Sequence, residues 1–246
     1  MAFLEARNLH KTYRLSRNNY VRALRGVDVT VEAGEMVGIM GPSGCGKSTL
    51  MHILGILHAP DLDAPPPDLA IDGTDVTVLT DRERTRIRAE RMGFVFQAFN
   101  LVSTLTTVEN VALPAEYAGR PRHEARTAAV EALKLVGLED WAEHRPMELS
   151  GGQQQRAAIA RALVTQPALL LADEPTGNLD SENTAEVMAL LHWFNRERGQ
   201  TIVLVTHDTR VSEACSRVLT MQDGVIINGR RTSVSQDGPA GISLGP

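Results

Sequence analysis

Cysteine is nearly absent from this 246-residue sequence: Cys45 and Cys215 are the only two. Two thiols cannot build a disulfide framework, and the count fits a reduced, cytosolic compartment. Positive charge is not in excess either. Lys and Arg number 25 against 30 Asp and Glu, a formal net charge of −5. Phosphate backbones are gripped by clustered Lys and Arg, so nucleic acid is not expected as the main partner. No stretch approaches the ~20 apolar residues that a membrane-spanning helix needs; any role at a membrane requires another chain to cross it. The opening Met-Ala-Phe-Leu-Glu-Ala-Arg lacks the apolar core of a signal peptide. Aromatic residues make up only 4% of the chain, and no internal repeat is visible. What remains is a chain of 43% apolar content, ordinary for a globular protein and long enough for one large domain or a domain with subdivisions.

Residues 3 to 35 suggest short strands and turns, with alternation from Val27 to Val31 and a turn at Glu32-Ala33-Gly34-Glu35. Met36 to Met40 is an apolar run with the pattern of a buried strand. It feeds into a Gly-rich loop and a helix from Lys47 to about Leu57. Residues 59 to 68 are a Pro- and Asp-rich loop, Asp81 to Arg91 a charged helix, and Met92 to Phe96 a short strand. The chain then reads mostly helical to about Gly151, with turns at Gly119-Arg120-Pro121 and Gly137, and a further helix runs to about Thr165. Ala168 to Ala172 and Thr201 to Val205 are continuous apolar strands, with a helix from Asn183 to Arg198 between them. No strand is assigned beyond Val205, and the polar, Gly- and Ser-rich residues 231–246 are expected to form a flexible tail.

Three motifs carry chemistry. The first is Gly41-Pro42-Ser43-Gly44-Cys45-Gly46-Lys47-Ser48-Thr49, set between a strand and a helix. Glycines let the backbone approach a ligand, and successive N–H groups at a helix N-terminus form an anion site. This spacing predicts a nucleoside triphosphate, with Lys47 reaching the β- and γ-phosphates and the Ser48 hydroxyl on Mg²⁺. Thr49 is placed to contact the α-phosphate. The second motif is Asp173-Glu174, two carboxylates ending an apolar strand. Asp173 is placed to hold Mg²⁺, usually through water, and Glu174 to orient or deprotonate an attacking water. The third is Ser150-Gly151-Gly152-Gln153, where Ser150 caps a helix whose glycines leave N–H groups open, a second anion site.

The Gly-rich loop, the Leu149-Ser150-Gly151-Gly152-Gln153 run and the Leu169-Leu170-Leu171-Ala172-Asp173-Glu174 strand together resemble the ATP-binding cassette (ABC) family over about residues 3 to 230. The resemblance implies an α/β fold: a RecA-like P-loop NTPase core with a small antiparallel β-subdomain and a helical subdomain at about residues 97–155. It makes 1–230 one ABC ATPase domain that hydrolyses ATP with Mg²⁺. It assigns Glu174 as the catalytic base, and Gln97 to Mg²⁺, the attacking water and the link to a membrane partner. It assigns His207 to the γ-phosphate and Tyr13 to stacking on adenine, with Tyr20 as the competing aromatic. It gives Ser150, Gly151, Gly152 and Gln153 the γ-phosphate held by a second copy, so that a two-fold homodimer completes two sites; Asp180 lies in the loop that crosses that interface.

Gly177-Asn178-Leu179-Asp180-Ser181, the triple Gln153-Gln154-Gln155 and the segment from Asn100-Leu101 to Tyr117-Ala118-Gly119 are similar to one group within the family. That group includes ATPases of lipoprotein release, macrolide and peptide export, and cell-division regulation. It implies a separate permease and a place at the cytoplasmic face of the membrane. The alternative from another class is a soluble ABC ATPase of DNA repair or the ribosome; the acidic balance and the lack of a CxxC favour the transporter. Two departures stand out. Cys45 sits where the group usually has Ser, which adds a thiol expected to be reactive. The loop from Ala59 to Asp68 is longer and richer in Pro than usual, and is expected to touch no motif.

Overall fold

The chain begins with a long antiparallel ribbon. In the computed structural model, which describes residues 2–16, 19–62 and 66–231, β1 (Ala2–Ser16) pairs with β2 (Asn19–Glu32) from Ala2↔Glu32 to Ser16↔Asn19. The short strands expected here are one continuous pair. Register irregularities between Ala6 and Leu9 and between Arg14 and Ser16 absorb the mismatches, since a bulge twists a ribbon without ending it. Leu4, Ala6 and Leu9 of β1 and Leu24, Val27, Val29 and Val31 of β2 are buried, the period-two pattern of a sheet with one covered face.

Two units divide the chain. Among the described residues, one comprises those up to Thr85 and residues 199–231; the other runs from Arg86 to Arg198. In the first, β3 (Met36–Met40) is buried over four of its five residues. It leads to α1 (Lys47–Leu54), three residues shorter than the sequence suggests because Gly55 follows and Ile56 takes a positive φ of 56°. Next come β4 (Asp68–Ile71) and β5 (Thr74–Asp75), which extend the ribbon into an antiparallel sheet of order β2-β1-β4-β5. The charged helix α2 (Asp81–Arg91) buries no residue and carries the chain into the second unit.

There β6 (Met92–Phe96) lies parallel to β7 (Leu169–Asp173), with Met92↔Leu169 and Phe96↔Asp173 in register. Between them in sequence run α3 (Thr107–Tyr117), α4 (Arg122–Leu135) and α5 (Gly151–Leu163), packed on one another; α6 (Ser181–Arg198) follows β7. Small residues make close packing possible: Ala125 and Ala129 of α4 and Ala157 and Ala158 of α5 are fully buried. α5 also lies so near β6 that a side chain at Gly93 would overlap the Ala162 carbonyl. The α3 start is fixed by Thr106 and Glu109, which cap each other's backbone N–H groups.

Back in the first unit, β8 (Thr201–Thr206) is buried throughout and parallel to β3. A short helix, α7 (Thr209–Glu213), precedes β9 (Arg217–Gln222) and β10 (Val225–Arg231). β9 runs parallel to the other side of β3, and β10 folds back on β9 through Asp223-Gly224, both at positive φ. No strand is expected here from the sequence, although Asp-Gly between apolar runs is a strong turn signal. Of the expected tail, all but Arg231 lies outside the described residues, as do residues 63–65 of the Pro-rich loop.

Candidate active site

In the first unit the Gly-rich loop leaves the C-terminal end of β3, the middle strand of three parallel ones. In parallel α/β sheets this end collects ligands. Gly41 is required by close approach, because a Cβ there would overlap the Met221 carbonyl. Gly46 is required twice: its φ is +106°, and a Cβ would overlap the Ala23 carbonyl. Lys47 opens α1 only 5% exposed. Its Nζ donates to the carbonyls of Gly41 at 2.8 Å and Pro42 at 2.9 Å. An ammonium has three N–H bonds, so this clamp commits two of them to the loop and directs the group along it. The first turn of α1 holds no acidic residue. Ser43 and Ser48 are exposed. His207, also exposed, follows β8 directly, and Asp208 next to it turns the chain by accepting from the Arg210 N–H as cap of α7.

Tyr13 lies late in β1, half-buried. Its hydroxyl meets Nδ1 of His58 at 2.9 Å, and the Lys11 ammonium stands 5.7 Å from its ring centre. Tyr20, the competing aromatic, is 58% exposed on β2 with Arg14 against its ring.

In the second unit, register places the ends of β6 and β7 side by side: Phe96 faces Asp173. Gln97 and Glu174, the next residue on each strand, therefore start neighbouring loops. Asp173 and Glu174 are half-buried. Glu174 stands at φ +46°, a left-handed conformation uncommon for a residue with a side chain and of the kind held at functional sites by their surroundings. The turn behind it is closed by Gly177 N–H on the Glu174 carbonyl at 3.0 Å, and the buried Gln155 side chain donates to the Pro175 carbonyl at 2.6 Å. Gln97 is held by Asn178, whose Nδ2 donates to the Gln97 carbonyl at 2.9 Å. Two residues on, Phe99 and Asn100 both take positive φ, and the Arg161 guanidinium of α5 donates to both of their carbonyls. Burial pushes the Arg161 pKa down.

Ser150 caps α5 by accepting the Gln153 N–H at 3.2 Å, and Gln153 returns the bond to the Ser150 N–H at 2.8 Å. Like α1, α5 has no acid in its first turn, whereas α2, α3, α4 and α6 each have one or more; the short α7 also has none, but the Asp208 carboxylate caps it. An acid at an N-terminus satisfies the local positive potential; its absence leaves that potential for an anion. Gly152 packs against Asn183 so closely that a Cβ would overlap it. Asn183 in turn grips Asp180 through its N–H at 2.9 Å and its Nδ2 at 3.0 Å to each carboxylate oxygen, which holds the Asp180 carboxyl below its ordinary pKa. Ser150, Gly151, Gly152 and Asp180 thus form one braced patch.

Two expectations need correction. Cys45 is buried, with its Sγ packed under Gly41, because the tight loop folds the small side chain inward. And the loop after Ala59 does touch a motif: Asp61 bonds the β1 segment just ahead of Tyr13. Of the supporting residues, Asn183 and Arg161 have no role expected from the sequence, while Asn178 and Gln155 enter only within the runs 177–181 and 153–155 and not as supports of neighbouring loops. Their only signal is position near a motif, since pairings such as Asn178 with Gln97 join residues 81 apart. Among the described residues no group of three His, Cys, Asp or Glu side chains could hold a metal ion, and no helix is long and apolar enough to cross a membrane.

Comparison with known proteins locates this arrangement. Residues 24–177 match the family model described as ABC transporter. The macrolide export ATP-binding/permease protein MacB of Chlorobaculum tepidum is 47% identical over 93% of the chain, which spans only 34% of that longer protein. The lipoprotein-releasing system ATP-binding protein LolD of Porphyromonas gingivalis is 44% identical over 92% of the chain and 99% of its own length. A dimeric post-hydrolysis structure of the ATP-binding cassette MJ0796, bound to ADP and Pi, superposes with a TM-score of 0.83 at 42% identity, covering 93% of the chain and 98% of the cassette; MJ0796 comes from Methanocaldococcus jannaschii.

Proposed function

This chain belongs to the ABC transporter family as an ATP-binding, ATP-hydrolysing subunit, and we propose that it drives a separate membrane permease through cycles of ATP-dependent dimerisation. The observation that carries this is the pair of acid-free helix starts, α1 behind the phosphate loop and α5 behind Ser150. One chain then brings one phosphate cradle and one γ-phosphate cap, and two copies related by a two-fold axis make two complete sites. MJ0796 has been solved as a dimer, which supports that assembly. The names of the LolD and MacB relatives favour lipoprotein release or macrolide export over a soluble DNA-repair or ribosomal ATPase. The likeness to LolD, an ATP-binding protein of a lipoprotein-releasing system, supports a separate permease as partner and a place at the cytoplasmic membrane face.

The residues fit a nucleotide. Gly41 and Gly46 leave a cradle that Cβ atoms would fill, and Gly44, Cys45, Gly46, Ser48 and Thr49 line it with backbone N–H groups. Lys47, with two donors held by carbonyls, gives its remaining one to the β- and γ-phosphates. Tyr13 stacks on the base, and His207 contacts the γ-phosphate. Magnesium takes one or two carboxylates together with phosphate oxygens, and the strand-end Asp173 carboxylate suits that chemistry. Ser48, Gln97 and Asp173 would hold it, where it neutralises charge developing on the phosphates. Glu174 accepts a proton from the attacking water, which Gln97 orients. Ser150, Gly151, Gly152 and Gln153 bind the γ-phosphate of the other copy, with Asp180 beside them.

Glu174→Gln tests this. The variant should bind ATP, lose turnover roughly 10²–10⁴-fold as expected when a general base is removed, and elute as a dimer with ATP but not with ADP. A variant that stays monomeric at saturating ATP and low salt, or that turns over at the parent rate, would count against the reading. Co-purification of an integral-membrane permease from detergent extracts tests the partner.

A further inference from the structure

The residues that hold Tyr13 come from the Pro- and Asp-rich loop that follows α1. Tyr13 Oη and His58 Nδ1 are 2.9 Å apart, and the His58 ring stands edge-on to the Tyr13 ring at 6.1 Å. His58 is itself fixed: its N–H bonds the His52 carbonyl at 3.2 Å, and its ring packs edge-on to that of His52 at 5.1 Å. Asp61 then pins the loop to β1 at three points. Its N–H donates to the His10 carbonyl at 2.9 Å, its carboxylate accepts the Thr12 N–H at 2.6 Å, and Lys11 Nζ lies 3.4 Å from the other carboxylate oxygen. Lys11 also donates to the Ala59 carbonyl at 2.7 Å while it stands over the Tyr13 ring.

We propose that His58 is a positioning residue for the nucleotide base: it locks the Tyr13 ring in the orientation that stacks on a purine, and Asp61 anchors the loop that presents it. The proposal rests on the reading of Tyr13 as the base-stacking residue and names what orients it. The physical argument is one of pre-organisation. A tyrosine half-exposed on a strand can turn about its side-chain bonds, and a ligand that stacks on it must arrest that motion at a cost in affinity. Here the hydroxyl is tied by the hydrogen bond to His58, and one ring face is covered by Lys11. The opposite face is the one a purine takes. The same loop hangs from the C-terminal end of α1, whose first residue is Lys47. One helix, about 12 Å long at 1.5 Å per residue, thereby sets the spacing between the phosphate clamp and the base platform.

The test measures binding of ATP and of inorganic tripolyphosphate, with Mg²⁺, to the full chain and to Tyr13→Ala, His58→Ala, His58→Asn and the double Tyr13→Ala/His58→Ala variant. Tripolyphosphate has no base, so it reports the phosphate loop alone. His58→Ala should weaken ATP about five-fold and leave tripolyphosphate unchanged, and it should raise KM for ATP with kcat intact. His58→Asn, which keeps a polar atom near the Nδ1 position, should recover most of the affinity. The double variant should be no weaker than Tyr13→Ala, because residues acting through one contact are not additive. ATP affinity unchanged in His58→Ala, an equal loss for tripolyphosphate, or additive losses in the double variant would each overturn the proposal. Should Tyr13→Ala itself bind ATP as tightly as the parent, the stacking role of Tyr13 fails, a result distinct from failure of His58 alone.

Discussion

Asn178 holds Gln97 at two points: its Nδ2 donates to the Gln97 carbonyl at 2.9 Å, and its Oδ1 accepts from the Gln97 side-chain amide at 3.4 Å. The loop bearing Gln97 is therefore not set by β6 alone but by the turn that follows Glu174. Gly177, the residue before Asn178, completes the fit, because a side chain there would press on the Gln97 amide at 2.8 Å.

Asn178→Ala should accordingly lower ATP turnover while the fold persists. If Gln97 orients the attacking water, a displacement of about 1 Å can cost up to roughly 10²-fold in rate. The expected pattern is a fall in kcat with nucleotide affinity nearly unchanged, measured by steady-state kinetics and by ATP titration. A fall in affinity with kcat intact would place the function of this contact elsewhere.

Gly152→Ala is expected to be far more damaging than an alanine in a helix usually is. The added methyl overlaps the Asn183 side chain, which must swing away and release both side-chain bonds to Asp180. Since Gly152 N–H is assigned to the γ-phosphate of the other copy, and the broken Asn183–Asp180 brace displaces it, ATP-driven dimerisation should be lost and turnover should fall by up to roughly 10²-fold, the scale of a misplacement of about 1 Å. Adding Asn183→Ala deletes the two atoms that overlap most and leaves Cβ at 3.2 Å, so it should restore most of the melting temperature but, with Asp180 still unbraced, not the activity. Activity restored along with stability would show that Gly152 acts only through packing.

Much of this was legible in the sequence because the informative signals are local. Lys47, Ser150 and the Asp173-Glu174 pair sit beside the strands and helix starts that give them meaning, and α2, β6 and the apolar strands fall where pattern places them. What was not legible is relational. Nothing local reveals that Asn183 lies against Gly152, or that Arg161 reaches the carbonyls of Phe99 and Asn100, 62 and 61 residues away. The positive φ of Glu174 has no sequence signature, because a glutamate there contradicts local preference. The burial of Cys45 is hidden for the same reason: neighbouring Gly and Lys residues suggest an open loop, while the thiol is 6% exposed. Two hairpins carry a signal that goes unused: Asp223-Gly224 between β9 and β10, and Asp72-Gly73 between β4 and β5, all four residues at positive φ.

Both thiols should resist modification in the folded protein. Cys215 is fully buried against Gly38, and loss of hydration pushes its pKa up to about 12; the thiolate is the reactive form. Cys45 is 6% exposed beneath the loop. Maleimide labelling followed by mass spectrometry should show slow reaction at both sites under native conditions and complete reaction at both in denaturant. Rapid native labelling at Cys45 would mean that the phosphate loop opens in solution. Cys45→Ser should retain ATPase activity, since serine is smaller and suits the same enclosed position.

Acid should destabilise the fold through its caps, and the sign can be worked from their environments. The Glu109 carboxyl is held below its ordinary 4.5, chiefly by the Thr106 backbone N–H it accepts at 2.9 Å. Asp208 is held below its ordinary 3.8, chiefly by the Arg210 side chain, and Asp180 below 3.8, chiefly by the Asn183 backbone N–H. Each group binds its proton more weakly folded than unfolded. Their stabilisation is therefore complete above the ordinary values and is lost as pH falls through the lower folded ones. The melting temperature should be level with respect to these groups down to about pH 5 and decline below it. Glu109→Gln isolates one contribution. Glutamine keeps the acceptor that the Thr106 N–H needs, so the cap survives, but it cannot titrate. At neutral pH the variant should melt close to the parent, and its decline between pH 4.5 and 3 should be shallower. A parallel decline in parent and variant would show that the Glu109 cap does not contribute to the acid response.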